Sequence, residues 1–528
     1  MRHDLLILFF ILLSSALMAD EHSNEAPSFK VQGIVTDEKG EGLPGASVWV
    51  KGTVVGAGTN AKGEFSFKLS SKNRCVLRVS FTGYEPQERE VTPGVDSLYH
   101  FVLEPSNNAL NEVVITGTRT LKPLKDVPVL TRVISSEDIA RVNPLDLQSL
   151  LEYEMPGLQF GLAHGSGLPE LKFQGSAGGY VLFMIDGERV AGEGSSNNID
   201  YNLIDMDNVE RIEIVKGPMS TLYGSQAMGG VVNIITKDAN RPFTGNVSVR
   251  YGNNDESKYS LSLGTKQGRF SALTSLSYRK RDAYALKDKE GQIEYSYYKD
   301  IYGRDSVVAD TSEKGMSSVN GFEIWQANQK LSYTFNENFR ISLNGTYYNN
   351  DVLEYVEQKE QDRFSNYSIN PRVYYAINDS HILDFSYVFE NYEKRYVYTT
   401  SLPSKKVFGD LTNTVRLNYT GYIHEKHTLT AGIEVNTQKL QHYWFDNGSG
   451  KKFDAQTYVL YLQEDYKVSD SFSVLAGVRS DCHSKYGFHA SPKISLMYKY
   501  GVLTLRGGYG MGFRIPSLKE LHSEYDMG

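Results

Sequence analysis

The sequence predicts a mainly β protein in three parts: a small N-terminal β-sandwich, an α+β globular unit, and an incomplete transmembrane antiparallel β-barrel. Three observations carry this prediction. From Gly245 onward the chain alternates apolar and polar residues, strand after strand, as it must where lipid lies on one face and water on the other. The connections between those strands alternate as well, a short turn followed by a long polar loop. Between Val209 and Lys237 the chain changes character: a charged strand, a Gly217-Pro218 turn, a short helix and a strongly apolar strand close off a compact globular piece before the repetitive pattern begins. At 528 residues the chain exceeds one ordinary core.

Composition narrows the field. Tyr (36) and Gly (47) are abundant, Trp (3) and Cys (2) scarce, and the net charge is only -8, which indicates neither nucleic-acid binding nor a disulfide scaffold. Cys75 and Cys482 fall in different segments and are not expected to pair. Residues 1-19 read as a secretory signal peptide: Arg2 and His3, an apolar run from Leu5 to Leu13, then Ser14, Ser15, Ala16 and Ala19, with cleavage after Ala16 or Ala19. The run is less than half of the roughly 20 residues a membrane helix needs, and no later segment reads as one.

Residues 29-104 hold short alternating strands (Val31 to Val35, Ala46 to Val50, Glu64 to Lys68, Val76 to Phe81) between Gly-rich turns, which predicts the sandwich. His22 and Glu25 have a metal-site spacing but stand in a polar stretch that reads as a tail. Residues 105-119 read as an exposed linker containing the β-branched run Val113-Val114-Ile115, either a template for another chain's sheet edge or an internal strand of the next unit. In residues 120-238, Ser136 is expected to cap a turn from Glu137 to Arg141, and Asn143-Pro144 to open a helix presenting Leu147, Leu150 and Leu151 up to Met155. A Gly-rich loop (Gly161 to Gly167), strands at Leu171 to Gln174 and Tyr180 to Ile185, and a polar loop (Gly192 to Tyr201) precede the Val209 strand. The glycines after Ser220 do not make a phosphate loop, because Pro218 removes a donor and no lysine follows the last glycine.

In residues 239-528, Phe339, Ile341, Leu343 and Tyr347 alternate with Arg340, Ser342, Asn344 and Thr346, and Leu429, Ala431, Ile433 and Val435 with Thr428, Thr430 and Glu434. Thirteen such strands are predicted, with short turns near 267, 337, 379, 469 and 500 and long loops at 280-322, 349-365, 391-410 and 437-454. Tyr347, Tyr348, Tyr387, Tyr419 and Tyr498 are placed at strand ends, where an interfacial aromatic girdle would sit.

Glu210-Arg211-Ile212-Glu213, Lys216-Gly217-Pro218, Leu222-Tyr223-Gly224 and the run from Gly229 to Thr236 resemble the end of the plug domain of TonB-dependent outer-membrane receptors. Residues 29-104 resemble the carboxypeptidase regulatory-like domain placed before plugs in receptors of the Bacteroidetes type, through Gly33 to Asp37, Leu43 to Ala46, Gly63 to Phe65 and Gly83-Tyr84, with Thr59-Asn60 where Thr-Asp is usual. Arg506 to Leu521 is similar to the Phe-Arg-Ala-Pro segment of these receptors, Ile515 replacing the alanine.

This resemblance implies a TonB box at Glu112, Val113, Val114, Ile115 and Thr116, gripped by a TonB-type periplasmic energising protein through strand addition. It implies about 22 barrel strands, so a chain with thirteen, ending at Asp526-Met527-Gly528 in what would be an extracellular loop, is expected to be a truncated product or a fragment. The implied activity is energy-coupled uptake of an iron complex, ferric siderophore or haem, across the outer membrane of a Gram-negative bacterium. Cobalamin or another large nutrient is the alternative; a passive porin would need neither plug nor TonB box. No covalent chemistry follows, so the protein is not expected to be an enzyme, and the iron complex or haem is transported ligand, with no cofactor. A secreted hydrolase is disfavoured because the first unit lacks a nucleophile, base and metal set. Partners are the energising protein, outer-membrane lipid and the ligand, with no nucleic acid. Haem receptors of the family use two histidines, whose corresponding places are held by His164 and His522; the bland reading of each is a solvated loop residue, and His442 and His489 are further candidates.

Overall fold

The computed structural model describes residues 29–522 except 52, 54, 61, 70–73, 82–83, 93–97, 105–112, 156–157, 163–168, 174–175, 178–179, 191, 193–198, 286–293, 300–304, 311–317, 355–359, 399–401, 425 and 443–449. The predicted signal peptide, His22 and Glu25, Glu112 and His164 therefore lie outside the described residues.

Among the described residues, seven strands form the N-terminal unit: β1 (Phe29–Asp37), β2 (Ser47–Val50), β3 (Gly56–Gly58), β4 (Glu64–Leu69), β5 (Cys75–Ser80), β6 (Gln87–Val91) and β7 (Tyr99–Leu103). They make two sheets, β4-β1-β7 and β3-β2-β5-β6, closed over Val31, Val35, Val48, Phe65, Leu77, Val79 and Phe101. Three of the seven were not anticipated. β3 is Gly-Ala-Gly and β6 carries exposed Glu88-Arg89-Glu90, so neither shows the alternation that marks a strand, whereas β7 alternates buried and exposed and carries a readable signal.

The second unit begins with a two-residue ladder, β8 (Val113–Val114) against β9 (Lys122–Pro123). Then come β10 (Thr131–Ile134), α1 (Ser136–Val142), α2 (Leu147–Glu154), β11 (Leu158–Leu162), β12 (Pro169–Phe173), β13 (Ser176–Ala177), β14 (Val181–Ile185), β15 (Glu188–Arg189), β16 (Val209–Lys216), α3 (Ser220–Tyr223) and β17 (Gly230–Thr236). A five-stranded sheet, β10-β16-β17-β14-β15, is its centre. One face packs on α1 and α2 through Ile139, Leu147, Leu150, Leu151, Ile212 and Ile214. The other packs under the segment from residue 113 to 129 through Val114, Leu124, Val127, Val215 and Val231.

The helix caps correct the sequence expectation. Ser135, not Ser136, caps α1, its hydroxyl accepting from Asp138 N–H in a capping box. Asp146 caps α2, and Asn143, assigned as that cap, instead ends α1 in the left-handed region at φ 51°. The helix expected from Ser220 is a single turn that stops at Gly224, φ 74°. Residues 113 to 120 are no exposed linker: Val114, Thr116, Thr118 and Thr120 are all buried.

The remainder is a wall of thirteen antiparallel strands in strict chain order. These are β18 (Thr244–Tyr251), β19 (Ser257–Gln267), β20 (Phe270–Arg281), then, after the loop strands β21 (Tyr284–Ala285), β22 (Glu294–Lys299), β23 (Asp305–Asp310) and β24 (Ser318–Val319), β25 (Gly321–Asn336), β26 (Phe339–Leu353), β27 (Glu360–Asn378), β28 (His381–Tyr398), β29 (Lys405–His424), β30 (His427–His442), β31 (Lys452–Lys467), β32 (Phe472–His483), β33 (Gly487–Tyr500) and β34 (Leu503–Gly510). A short α4 (Leu518–His522) follows. All thirteen predicted strands are present, and among the described residues β18 and β34 each have one neighbour in the sheet.

Along β31, Tyr458, Leu460 and Leu462 are 53%, 61% and 48% exposed while Val459, Tyr461 and Gln463 turn inward at 6%, 1% and 3%. Inward residues meet the second unit, and outward ones form the apolar band. Much of the predicted loops 349-365, 391-410 and 437-454 is strand instead. β29 runs for 20 residues, about twice what crossing lipid requires; beyond the apolar band both faces meet water and the alternation that signals a strand disappears. Tyr348 is a further correction: it points inward and is buried, so it belongs to no outer girdle.

Candidate functional site

The segment from Val113 to Val127 lies as a strap between the five-stranded sheet and the barrel wall, and its two ends are tied to different things. The leading end is held by the sheet. Glu213 and Asn233 are register partners on β16 and β17, with their side chains on the strap face. One Glu213 carboxylate oxygen accepts from Ile115 N–H (2.9 Å), Thr116 N–H (2.9 Å) and the Thr116 hydroxyl (2.7 Å). Asn233 Nδ2 donates to Thr116 Oγ1 (2.9 Å), and the Tyr223 hydroxyl donates to Thr116 O (3.0 Å). Burial pushes the Tyr223 phenol up to about 12, so it keeps the proton it donates.

The trailing end is held by the barrel. Gln463 donates to Thr118 O (2.9 Å) and Arg119 to the Tyr461 hydroxyl (2.6 Å), both on β31. Arg119, at φ 59°, lies between the rings of Tyr223 and Tyr461, 4.8 and 4.7 Å from their centroids. Lys122 pairs with Asp465 (2.5 Å), Asp126 with Lys499 (2.5 Å), and Arg506 donates to Val127 O (2.9 Å). Burial raises the Asp126 carboxyl, but the Lys499 ammonium outweighs it and leaves the group below its ordinary range.

Beside the strap a buried ionic cluster joins the second unit and the wall. Arg416 on β29 meets Glu188 of β15 (2.9 Å) and Glu434 of β30 (2.8 Å). Arg479 on β32 meets Asp481 (2.9 Å) and donates to Leu222 O (3.2 Å). A Cβ on Gly224 would stand 2.7 Å from the Arg479 guanidinium, so this close approach needs glycine there. None of Glu213, Asn233, Arg119, Arg416, Glu434 or Arg479 was singled out from sequence as a site residue. The available signal was a charge or amide interrupting an apolar run, as Asn233 does between Val232 and Ile234, or long charged side chains on the lumen face among small polar ones.

At the short-turn end, a cavity of 1890 Å³ opens between the sandwich, the strap and the barrel turns, walled by Trp49, Arg78, Val113, Ile115, Lys122 and Asp470 among others. At the long-loop end, Asp200 is buried and accepts from Tyr348 (2.7 Å) and Tyr392 (3.2 Å); burial raises its carboxyl against those hydrogen bonds. Phe364, Phe408, Leu440 and Leu518 close an apolar layer there.

Of the two histidines expected to face ligand, only His522 is described; its ring lies flat on Phe453, centroids 3.7 Å apart. His442 is buried edge-on to Phe408, and His489 stacks on Phe513. Among the described residues no group of three or more His, Cys, Asp or Glu is arranged to hold a metal ion. Cys75 and Cys482 are both free.

Three family models match the chain in sequence: the CarboxypepD_reg-like domain at residues 31–115, the TonB-dependent Receptor Plug Domain at 123–231, and the TonB dependent receptor-like beta-barrel at 288–526. The chain is 26% identical over 79% of its length to the vitamin B12 transporter BtuB of Vibrio vulnificus, and 25% identical over 78% to the ferric enterobactin receptor of Pseudomonas aeruginosa. It spans 65% and 62% of the length of those two relatives. A crystal structure of a single-substitution mutant of the ferric enterobactin receptor of Pseudomonas aeruginosa superposes with a TM-score of 0.61 at 20% identity, over 74% of this chain and 63% of that one. At that identity the likeness to the solved structure is one of fold. A regulatory-like sandwich, a plug and a barrel wall following one another along a single chain place this protein among the TonB-dependent receptors of the Gram-negative outer membrane, a family of receptors and not of enzymes.

Proposed function

We propose that the chain serves active uptake of an iron complex, ferric siderophore or haem, across the outer membrane, energised through its TonB box at Glu112, Val113, Val114, Ile115 and Thr116 by a TonB-type periplasmic protein. The observation that carries this reading is the strap. Its leading end lies beside the cavity at the short-turn end, while its trailing end is tied to the wall through Lys122, Asp126 and Val127. A pull on Val113 to Thr116 therefore loads the plug sheet at Glu213 and Asn233 before it reaches the barrel. Strand addition suits the partner's grip, because Val113–Val114 has only the short β9 as sheet neighbour among the described residues. Ligand would be held at the long-loop end, where His522 lies; by the resemblance, His164 and His522 are the histidines a haem ligand would use. The named specificity of the Pseudomonas relative, ferric enterobactin, supports the iron reading.

Cobalamin is the second reading, supported by the 26% identity to a vitamin B12 transporter. The test is growth of a receptor-deficient strain carrying the full-length gene, supplied in turn with ferric enterobactin, haem and cobalamin as the limiting nutrient. Growth on either iron source alone is expected. Growth on cobalamin alone moves the assignment there, and growth on none with the receptor folded in the outer membrane overturns both.

A further inference from the structure

We infer that Glu213 is a latch residue of the plug: its carboxylate holds the strand Val113 to Thr116 folded against the sheet, and its loss frees that strand without unfolding the plug. This rests on the reading of that strand as the coupling strand.

β16 and β17 present an apolar strap face, with Val215 and Val231 buried on it, yet in its middle stand Glu213 and Asn233, both buried and facing each other across the ladder. A fully buried carboxylate is costly unless every lone pair is used. Here one oxygen takes the Arg211 guanidinium (2.9 Å) and the other takes three donors, all from Ile115 and Thr116. The strap thus satisfies two backbone donors on a side chain, where an ordinary strand would satisfy them on a neighbouring backbone.

That choice makes the contact reversible. A strand released from an apolar sheet face leaves bare hydrocarbon. A strand released from Glu213 leaves a carboxylate that still has Arg211, next to a large cavity bordered by Arg211, Asn233, Tyr223 and Ile115 itself. Water from that space can replace the three lost donors, and the freed N–H groups of Ile115 and Thr116 become available to another chain's edge. Release beyond Thr118 meets the barrel ties of Thr118 to Gln463, Arg119 to Tyr461 and Lys122 to Asp465, so the latch governs only the leading segment.

Glu213→Gln tests this with the shape kept. If the amide oxygen faces the strap, its NH2 faces the Arg211 donors; turned round, it faces the Ile115 and Thr116 donors. One hydrogen-bonding side is lost either way. Ile115→Cys in the full-length receptor, in outer-membrane vesicles, is reacted with a maleimide-polyethylene glycol, and Val232→Cys, on the opposite face of the same sheet, serves as control.

Glu213→Gln is expected to speed labelling at residue 115 by roughly tenfold or more, as loss of charge-assisted hydrogen bonds implies, with residue 232 unchanged. Thr116→Val, which removes the hydroxyl and leaves the carboxylate, is expected to act in the same direction and serves if the first variant does not fold. Unchanged labelling at 115 in both variants overturns the latch, and so does equal acceleration at 232, which would mean the plug itself has opened. The outcome is separable from the coupling assignment: a strand freed by Glu213→Gln in a receptor whose uptake survives Val114→Pro would leave the latch standing and remove its role in transport.

Discussion

The two faces of the plug's five-stranded sheet are built on opposite principles. On the helix face, Leu147, Leu150 and Leu151 of α2 and Ile139 of α1 meet Ile212, Ile214, Val232 and Ile234 in an unbroken apolar layer. On the strap face, apolar contacts from Val114, Leu124 and Val127 surround a polar centre in which Glu213, Asn233 and Tyr223 grip one residue, Thr116. An apolar layer has no discrete state short of being packed; opening it costs the whole buried area. A layer tied through a few directional bonds can exchange them for water or for a partner's backbone and close again. One sheet thus separates the part of the plug that must persist from the part able to move.

The sharpest way to break this comparison is a substitution whose effect on uptake and on stability differ. Val114→Pro in the full-length receptor removes a backbone donor and fixes the dihedral in the middle of the strand a partner would pair with. Uptake of ferric enterobactin or haem, whichever supports growth, is expected to be abolished with binding of that compound intact. Equal uptake by the variant and the parent would remove the TonB box assignment and with it the functional meaning of the strap face.

Leu150→Ala probes the other face. It empties a fully buried position between α2 and the sheet, and the loss is expected to be about 2–5 kcal/mol, read as a lower denaturant midpoint of the receptor in detergent. Uptake per folded receptor should be unchanged. A drop in uptake without a drop in the midpoint would show that the helix face carries the moving contact after all.

How far this contrast was legible in the sequence differs between the two faces. Leu147, Leu150 and Leu151 show themselves by helical spacing, and once β16 and β17 are read as strands their period of two shows which residues share a side. The barrel was legible for the same reason, since lipid and water impose a period of two wherever both are present. The strap face was not. Val113, Val114 and Ile115 read equally as a free strand and as an internal one, because a short β-branched run is silent about its neighbour, and the buried Thr116 and Thr118 look like ordinary linker residues. The partners are far away in sequence, Glu213 being 97 residues from Thr116 and Gln463 345 from Thr118, and no local pattern encodes a contact at that distance. The caps failed on a smaller scale and for want of reading a local signal: Ser135 stands three residues before Asp138, whose carboxylate reaches back to the Ser135 N–H, whereas Ser136 stands three before Ile139, which cannot.

The smallest expected effect concerns the rear of the strap, where Asp126 and Lys499 join it to the barrel. Burial alone would raise the Asp126 carboxyl, but the Lys499 hydrogen bond and charge outweigh it and hold the group below its ordinary value. The sign follows from linkage. A carboxyl whose folded value is depressed contributes stability in full above its unfolded value, about 3.9, and loses it as the pH falls through the folded value. The pair is partly exposed, 29% on each side chain, so its contribution is expected to be a fraction of a kcal/mol after screening. Asp126→Asn should therefore open the strap slightly at pH 6, read as faster maleimide labelling of Leu124→Cys, a buried strap position, than in the same cysteine variant with Asp126. As the pH falls below about 3.9 and through the depressed folded value the two should converge, as the parent loses the same interaction by protonation, provided the thiol rates are normalised to free cysteine at each pH. No difference between the two at pH 6, where Asp126 is ionised, would mean that the rear of the strap is held by Arg506 and Lys122 without help from this charge.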